Sequence, residues 1–478
     1  MRKIVSFKIW APIFFGALLF SCATYYEVHR EFNKNFEMGN IKAADKILAN
    51  DKKSATGKAR FLYFTNRGVA NSFLGEYELS NDFLEKAYIF VEDYQRNYLN
   101  EAVSFLSNPN FVVYPGEDHE KLLIHYYKAL NFLKINDRES ALVECRRMDI
   151  KLQQLSDKYK SDKKYKRDAF IHTLMGIIYD ADHDYNNAFI AYRNALNIYQ
   201  EDYNELFGMR PPRQLKKDLL RTAYLTGFYD EVAYYEKEFN MKYLPHKQKT
   251  GDLVFFWNNG LGPVKSEWGI TFTIVKGEGG FVHFRNDEHG FSFPFFLPDD
   301  EEDKDKRTDL VEDLRIVRVV FPKYVERPPL FTDAFLKVKG KNYKLHFAEN
   351  VNDIAFKTLQ ERMLKEFGRA LLRFSLKKLA EKQARDQNEG LGALVGIFNA
   401  ATEKADTRNW QTIPHSIYYA RVPLPEGNQQ VSFHTQSKLG KELNQKHQLS
   451  FNVKAGSTIF HTFHSLEISP EYHRSGYY

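Results

Sequence analysis

The sequence predicts an α+β protein: an N-terminal array of helical hairpins followed by a mainly antiparallel β domain with an inserted long helix. Three observations predict it. Apolar and small residues keep helical spacing through the first half, broken five times by the same kind of turn. From Thr250 the period switches to alternation, in segments rich in β-branched and aromatic residues. A helical period then returns over Val351 to Arg385, before four more strand-like segments. The length of 478 residues favours two to three domains, and 43% hydrophobic with 27% charged residues is an ordinary globular balance.

In chain order, Arg2, Lys3 and Lys8 form a basic start, and an apolar run follows from Ile9 to Phe20, interrupted by Pro12. That run is too short for a bilayer, which needs about 20 residues. It suits the core of a secretory signal over residues 1–21. Leu19-Phe20-Ser21-Cys22 resembles the bacterial lipobox, with Phe20 bulkier than usual. The resemblance implies cleavage before Cys22, acylation of Cys22 and anchoring in a membrane. There is no Asp directly after Cys22 and no acidic cluster, which leans toward the outer membrane with the protein on its periplasmic side. Loss of the three basic residues lowers the formal net charge from +6 to +3, too little to indicate nucleic acid. The basic run Lys158 to Arg167 reads as a solvated helix end. Cys145 is then the only thiol left, so no intrachain disulfide forms; beside Ala141 and Met148 it reads as a buried small hydrophobe.

Residues 22–245 carry the hairpins. The five turns begin Gly39-Asn-Ile41, Gly75-Glu-Tyr77, Asn136-Asp-Arg138, His183-Asp-Tyr185 and Gly227-Phe-Tyr229. Each opens on a residue for the left-handed conformation that ends a helix, and His183 suits it least. A bulky side chain follows two residues later, and a mostly small one three further on. Gly68, Ala129 and Gly176 lie where the second helix must approach the first. The clearest unit lies between Arg167 and Gln200, with Met175, Gly176, Tyr179, Tyr185, Ala188, Tyr192 and Ala195 at helical spacing. This is the pattern of a tetratricopeptide-type repeat, whose usual length is about 34 residues. Such pairs stack into a superhelix with a concave face that commonly binds protein segments. The expected partners are therefore other envelope proteins, held through the repeat surface.

The β domain opens over 250–349, with strands expected at 253–257, 270–275, 281–285, 291–296, 314–321 and 334–339. The acidic loop Asp299 to Arg307 lacks the spaced acids and fixed Gly of a calcium site. Residues 350–414 form the insertion: a long helix marked by Ile354, Ala355, Leu359 and Met363, then the Gly-rich stretch Gly390 to Ala401, too short to span a membrane. Strands at 416–421, 430–435, 449–453 and 458–463 fill 415–465, with Pro425 to Asn428 as a hairpin turn. They are expected to complete the sheet begun at Thr250; 466–478 is a tail. His461 and His464, three apart on a strand, point to opposite faces and do not share a metal.

Four stretches together resemble a family of uncharacterised bacterial envelope lipoproteins with tetratricopeptide-like repeats. They are Tyr114-Pro-Gly-Glu-Asp118 with His125 to Asn131, Ala141 to Arg147, Asn259-Gly-Leu-Gly-Pro-Val-Lys265, and Thr402 to Pro414. Gly262 stands where a small alkyl residue is expected. The resemblance implies an outer-membrane or periplasmic lipoprotein and no particular activity.

Glu403, Asp406, Arg408 and Trp410 are the best candidates for a ligand or partner site, with Lys265 beside Asn258 to Gly260 next. The plainer role has Asp406 and Arg408 paired and Trp410 capping the core. No nucleophile-base pair, phosphate loop or zinc motif appears, so no catalytic residue, cofactor or metal is assigned. The sequence points to a lipid-anchored, non-enzymatic adaptor supporting an envelope assembly or secretion machine. The alternatives are a glycan-binding module or hydrolase using Glu403 to Trp410, and insertion of the Gly-rich stretch into a membrane or partner.

Overall fold

The computed structural model describes residues 25–97, 112–156, 165–245, 250–276, 281–286, 288, 291–296, 316–363 and 405–470. The signal segment, Cys22, the acidic loop, the Gly-rich stretch, Glu403 and the long helix beyond residue 363 lie outside them.

Ten helices form five antiparallel pairs: α1 (Arg30–Glu37) with α2 (Ile41–Asn50), α3 (Arg60–Leu74) with α4 (Tyr77–Asn97), α5 (Asp118–Lys134) with α6 (Arg138–Ser156), α7 (Ala169–Ala181) with α8 (Tyr185–Ile198), and α9 (Arg213–Thr226) with α10 (Tyr229–Phe239). Each turn carries its left-handed residue, with φ of 76° at Gly39, 83° at Gly75, 61° at Asn136, 61° at His183 and 85° at Gly227. The helices of a pair cross closely where the small residues sit. A Cβ added at Gly176 would lie 2.5 Å from the Tyr192 ring, and one at Gly68 would lie 2.6 Å from Leu84 Cγ. After Val351 a further helix, α11, runs over 351–363.

Among the described residues the β half contains three four-stranded sheets rather than one. The first has the order β12-β1-β9-β8, from β1 (Thr250–Asn259), β8 (His346–Asn350), β9 (Ser416–Pro425) and β12 (Thr458–Ser465). The second has the order β11-β10-β6-β7, from β6 (Phe331–Val338), β7 (Lys341–Lys344), β10 (Gly427–Ser437) and β11 (Gln445–Val453). The third has the order β4-β3-β2-β5, from β2 (Val264–Lys276), β3 (Phe281–Asn286), β4 (Phe291–Phe296) and β5 (Ile316–Val325). Pairing is antiparallel except between β1 and β12, which run parallel.

Three expectations about the strands need correction. Only β9 and β12 of the tail join β1; β10 and β11 belong to the second sheet. Pro425 to Asn428 is therefore no hairpin turn. The chain there leaves one sheet for the other, with Gly427 at φ 97°. The short strands β7 and β8 lie between the strand expected at 334–339 and the long helix, where no strand was expected.

The first sheet lies between the helices and the second sheet. On one side, Leu253, Phe255 and Trp257 of β1 and Val422 and Leu424 of β9 pack with Leu336, Val431 and Phe433 of the second sheet. On the other, Val254, Phe256, Ile417 and Tyr419 join the helical core. Burial on both faces explains why Leu253 to Trp257 reads as an unbroken apolar run.

Helices α5, α7 and α9 meet this sheet directly. From α5, the Tyr126 hydroxyl donates to Asn258 Oδ1 at 2.7 Å and Tyr127 to the Thr412 carbonyl at 3.3 Å. From α7, Phe170 packs edge-on against Phe256. From α9, Asp218 accepts from the Tyr419 hydroxyl at 3.4 Å. Tyr199, in the π-helical turn after α8, donates to the Ala348 carbonyl at 2.6 Å. The face expected to hold a partner segment is thus occupied by the chain's own first sheet.

Candidate functional site

The stretches quoted for the family resemblance come together in a buried seam between α5, β2, α11 and the segment 405–415. The seam grows from the start of α5. Glu117 caps that helix, and its carboxylate is ion-paired with Lys265 of β2 and with Arg362 of α11, whose Nη2 donates at 3.1 Å. Burial alone would raise the Glu117 carboxyl; the Arg362 and Lys265 charges outweigh it and hold it well below the usual carboxylate range.

Glu120, one turn on, has no such cation. Its Oε1 accepts from the Trp410 backbone N–H at 2.6 Å, and its Oε2 from the Tyr114 hydroxyl at 2.8 Å and the Glu117 N–H at 2.9 Å. Burial, and then the Glu117 charge, push its pKa up to about 7. Burial likewise pushes the neighbouring His119 down to about 4, favouring the neutral ring.

The segment 405–415 closes the seam. Arg408 donates to both Asp406 oxygens at 2.8 Å, and its Nη1 donates to the Val112 carbonyl at 2.9 Å. Its guanidinium lies 5.2 Å from the Tyr114 ring centroid. Asn409 accepts from the Lys265 N–H at 3.1 Å and donates to the Pro263 carbonyl at 2.8 Å. The Trp410 indole packs against Phe61 and Tyr127, and its Nε1 donates to Thr412 Oγ1 at 2.8 Å. Deeper in α5, His125 and Lys128 both bind Glu144 of α6, at 2.7 and 2.8 Å, which brings in the Ala141 to Arg147 stretch.

Four of the five sequence candidates are thus brought together, and three are interior. Trp410 is 0% exposed, Lys265 2% and Arg408 7%, while Asp406, the partner of Arg408, is half-buried. Glu403 is outside the described residues. The polar atoms are directed at one another, and Trp410 offers no face to a sugar ring. Two carboxyls with proton affinities driven apart resemble an acid–base pair, but here their oxygens are taken up by backbone and side-chain donors of the same seam. Both carboxyls are thus held by donors of the seam itself.

Residues the sequence reading passed over complete the seam. Arg327, 1% exposed, donates to the Gly262 carbonyl at 2.7 Å and the Gln411 carbonyl at 2.5 Å, and pairs with Glu37 at 2.9 Å. Nothing in Glu326-Arg-Pro-Pro marked it as interior. Gly262 also has its explanation: an added Cβ would sit 2.6 Å from Ile413 Cγ1. His461 lies by Phe255 in the sandwich, and His464 by Phe73 of α3, on opposite faces of β12. Cys145 is buried, which pushes its thiol up. Among the described residues no group of three or more His, Cys, Asp or Glu is placed to hold a metal ion.

No family model matches the chain, and no curated protein matches it in sequence. Solved structures similar to its helical part include the MamA protein, at 13% identity and TM-score 0.27 over 45% of this chain and 95% of that one. BtubC (BKLC) from P. vanneervenii is similar at 16% identity and TM-score 0.30, over 45% of this chain and 80% of that one. A Podosopora anserina kinesin light chain with nearly identical TPR-like repeats is similar at 12% identity and TM-score 0.31, over 45% and 91%. The assignment of helical repeats stands on the five hairpins and their left-handed turns in this chain itself.

Proposed function

We propose that the chain is a lipid-anchored periplasmic scaffold at the outer membrane, held by acylated Cys22 and binding other envelope proteins through the outer face of its helical pairs. The observation that carries the binding half is a set of exposed apolar side chains on the helices. Helices α5, α7 and α9 contact the first sheet, while Leu79 and Ile89 of α4, Val143 and Ile150 of α6 and Ile190 of α8 are exposed. Apolar side chains repeated along successive helices offer a partner a continuous surface. The anchor rests on the basic start, the short apolar run and the position of Cys22. Among the described residues no helix is long and apolar enough to cross a membrane, and an acyl anchor needs none. On this reading the seam at Lys265, Asp406, Arg408 and Trp410 fixes the helices to the sheet.

The test places a photocrosslinking residue at Val143, Ile150 or Ile190 in cells, with Tyr126 as the interior control. A discrete envelope partner captured from the outer positions alone is expected, and capture should fall when Cys22→Ala releases the chain from membranes. Retention of Cys22→Ala on membranes would remove the anchor. Equal capture from Tyr126 would remove the outer-face assignment.

A further inference from the structure

A second charged site lies away from the seam, where the turn between α7 and α8, the first turns of α9, residues 241–245 and the turn between β11 and β12 enclose an open cleft of about 640 Å³. Its floor is a fixed ionic network. Arg421 of β9, buried, lies 2.7 Å from Asp180, 3.1 Å from Asp218 and 2.9 Å from Asp252. Arg221 joins Asp180, and Gln214 and Tyr419 also donate to Asp218. Donors and acceptors therefore alternate across the floor in positions already set by the fold. Tyr185, Tyr243 and Tyr343 stand along the walls.

The rim is different. Arg213 and Lys217 line the cleft, are exposed and have no acidic partner among the described residues. The cleft lining carries five cations, Arg213, Lys217, Arg221, Lys242 and Arg421, against the three aspartates, and Lys242 alone is neutralised from outside, by Glu236. Asp252 gives one oxygen to Arg421 and stays partly exposed.

We infer that this cleft binds a small anionic ligand carried on a hydroxylated ring, the class of a sugar acid or sugar phosphate. Each structural layer matches one part of such a ligand. A hydroxyl is both donor and acceptor, and Asp252, partly exposed with one oxygen on Arg421, offers an acceptor at the cleft floor. The C–H faces of a pyranose pack on aromatic rings, which the three tyrosines supply. The unneutralised Arg213 and Lys217 take the anionic substituent. The volume falls within the range of about 300–1,000 Å³ usual for small-ligand sites. This inference is independent of the scaffold reading and moves any saccharide recognition away from the buried Trp410.

The experiment titrates the full chain calorimetrically with glucose 6-phosphate, glucuronate, glucose, inorganic phosphate and a hexaglutamate peptide. The two anionic sugars should bind at least tenfold more tightly than glucose or phosphate, and the tighter of the two identifies the anionic group. Arg213→Ala/Lys217→Ala should weaken both at least tenfold with an unchanged melting temperature, since neither side chain is buried. Tyr243→Ala should weaken the sugars and leave phosphate unaffected. No binding by any probe, phosphate binding as tightly as glucose 6-phosphate, a tighter hexaglutamate complex, or an unaffected double variant would each overturn the assignment.

Discussion

The seam at Glu117 and the cleft at Arg421 use the same materials where helices meet strands, the seam at β2 of the third sheet and the cleft at β9 of the first, yet they end differently. In the seam Lys265 and Arg362 meet the Glu117 carboxylate, Arg408 meets Asp406, and Trp410 is buried against Phe61 and Tyr127. In the cleft Arg421 is as deeply embedded, but Arg213 and Lys217 stand at an open cavity without acids of their own among the described residues. Buried charge by itself therefore marks a joint. Charge left unbalanced beside a cavity marks a place for something else.

The sharpest way to break this comparison is Lys265→Met. It leaves Glu117 buried with one cation fewer, and breaking a buried pair costs about 3–5 kcal/mol, to be read from urea unfolding. A loss near zero would mean that the seam holds nothing together. Next comes Asp252→Asn on the cleft floor. It removes one charged acceptor of Arg421 while two remain, and should cost about 1.5–3 kcal/mol by the same measurement.

The two sites also separate by pH. Glu120, at about 7 in the folded chain, lies above the ordinary carboxyl value of 4.5. The fold thus favours its protonated form, and that stabilisation is complete below pH 4.5 and is lost as pH rises through about 7. Asp218 in the cleft, pushed up to about 6 by burial, has the same sign over a lower window. Glu117 has the opposite sign: held low by its cations, it stabilises above 4.5 and loses this in acid. Denaturation midpoints between pH 5.5 and 8 should fall less steeply for Glu120→Gln than for the parent chain; parallel curves would refute the assignment. The smallest effect is expected for Arg213→Ala, within about 0.5 kcal/mol as for other exposed side chains. A loss matching that of Lys265→Met would erase the distinction between the two sites.

The local half of this architecture was readable and the long-range half was not. The five turns were legible because a left-handed residue is a backbone demand that few side chains meet, and even His183 obeys it. The unbroken apolar run of β1 contained the clue that both its faces are covered, one by helices and one by a second sheet. The change of sheet after Pro425 had no local signature, since Gly427 serves a corner as well as a hairpin. The seam was half visible. Asp406 and Arg408 are close enough in sequence for their pairing to be foreseen, whereas Lys265, a candidate by itself, and Glu117 lie 148 residues apart with nothing local to join them. The α5 helix hid its role for a related reason. Fourteen of its 17 residues are buried, polar ones included, because its charges are satisfied by distant partners. The cleft was invisible because Arg421 looked like the polar end of an ordinary strand.

The parallel pairing of β1 with β12 has a consequence for how the molecule is made. Trp257 of β1 bonds Ser465 of β12, 208 residues further along the chain. Contacts of such separation form late, because closing a long loop must precede any gain from the contact. A chain emerging from its N-terminus can assemble its hairpins one after another, but the strand that completes their cover arrives last. During that interval the inner surface of the array, rich in Tyr and Phe, is open to whatever escorts unfinished chains. A truncation before Thr458 should therefore be trapped with its escort rather than released.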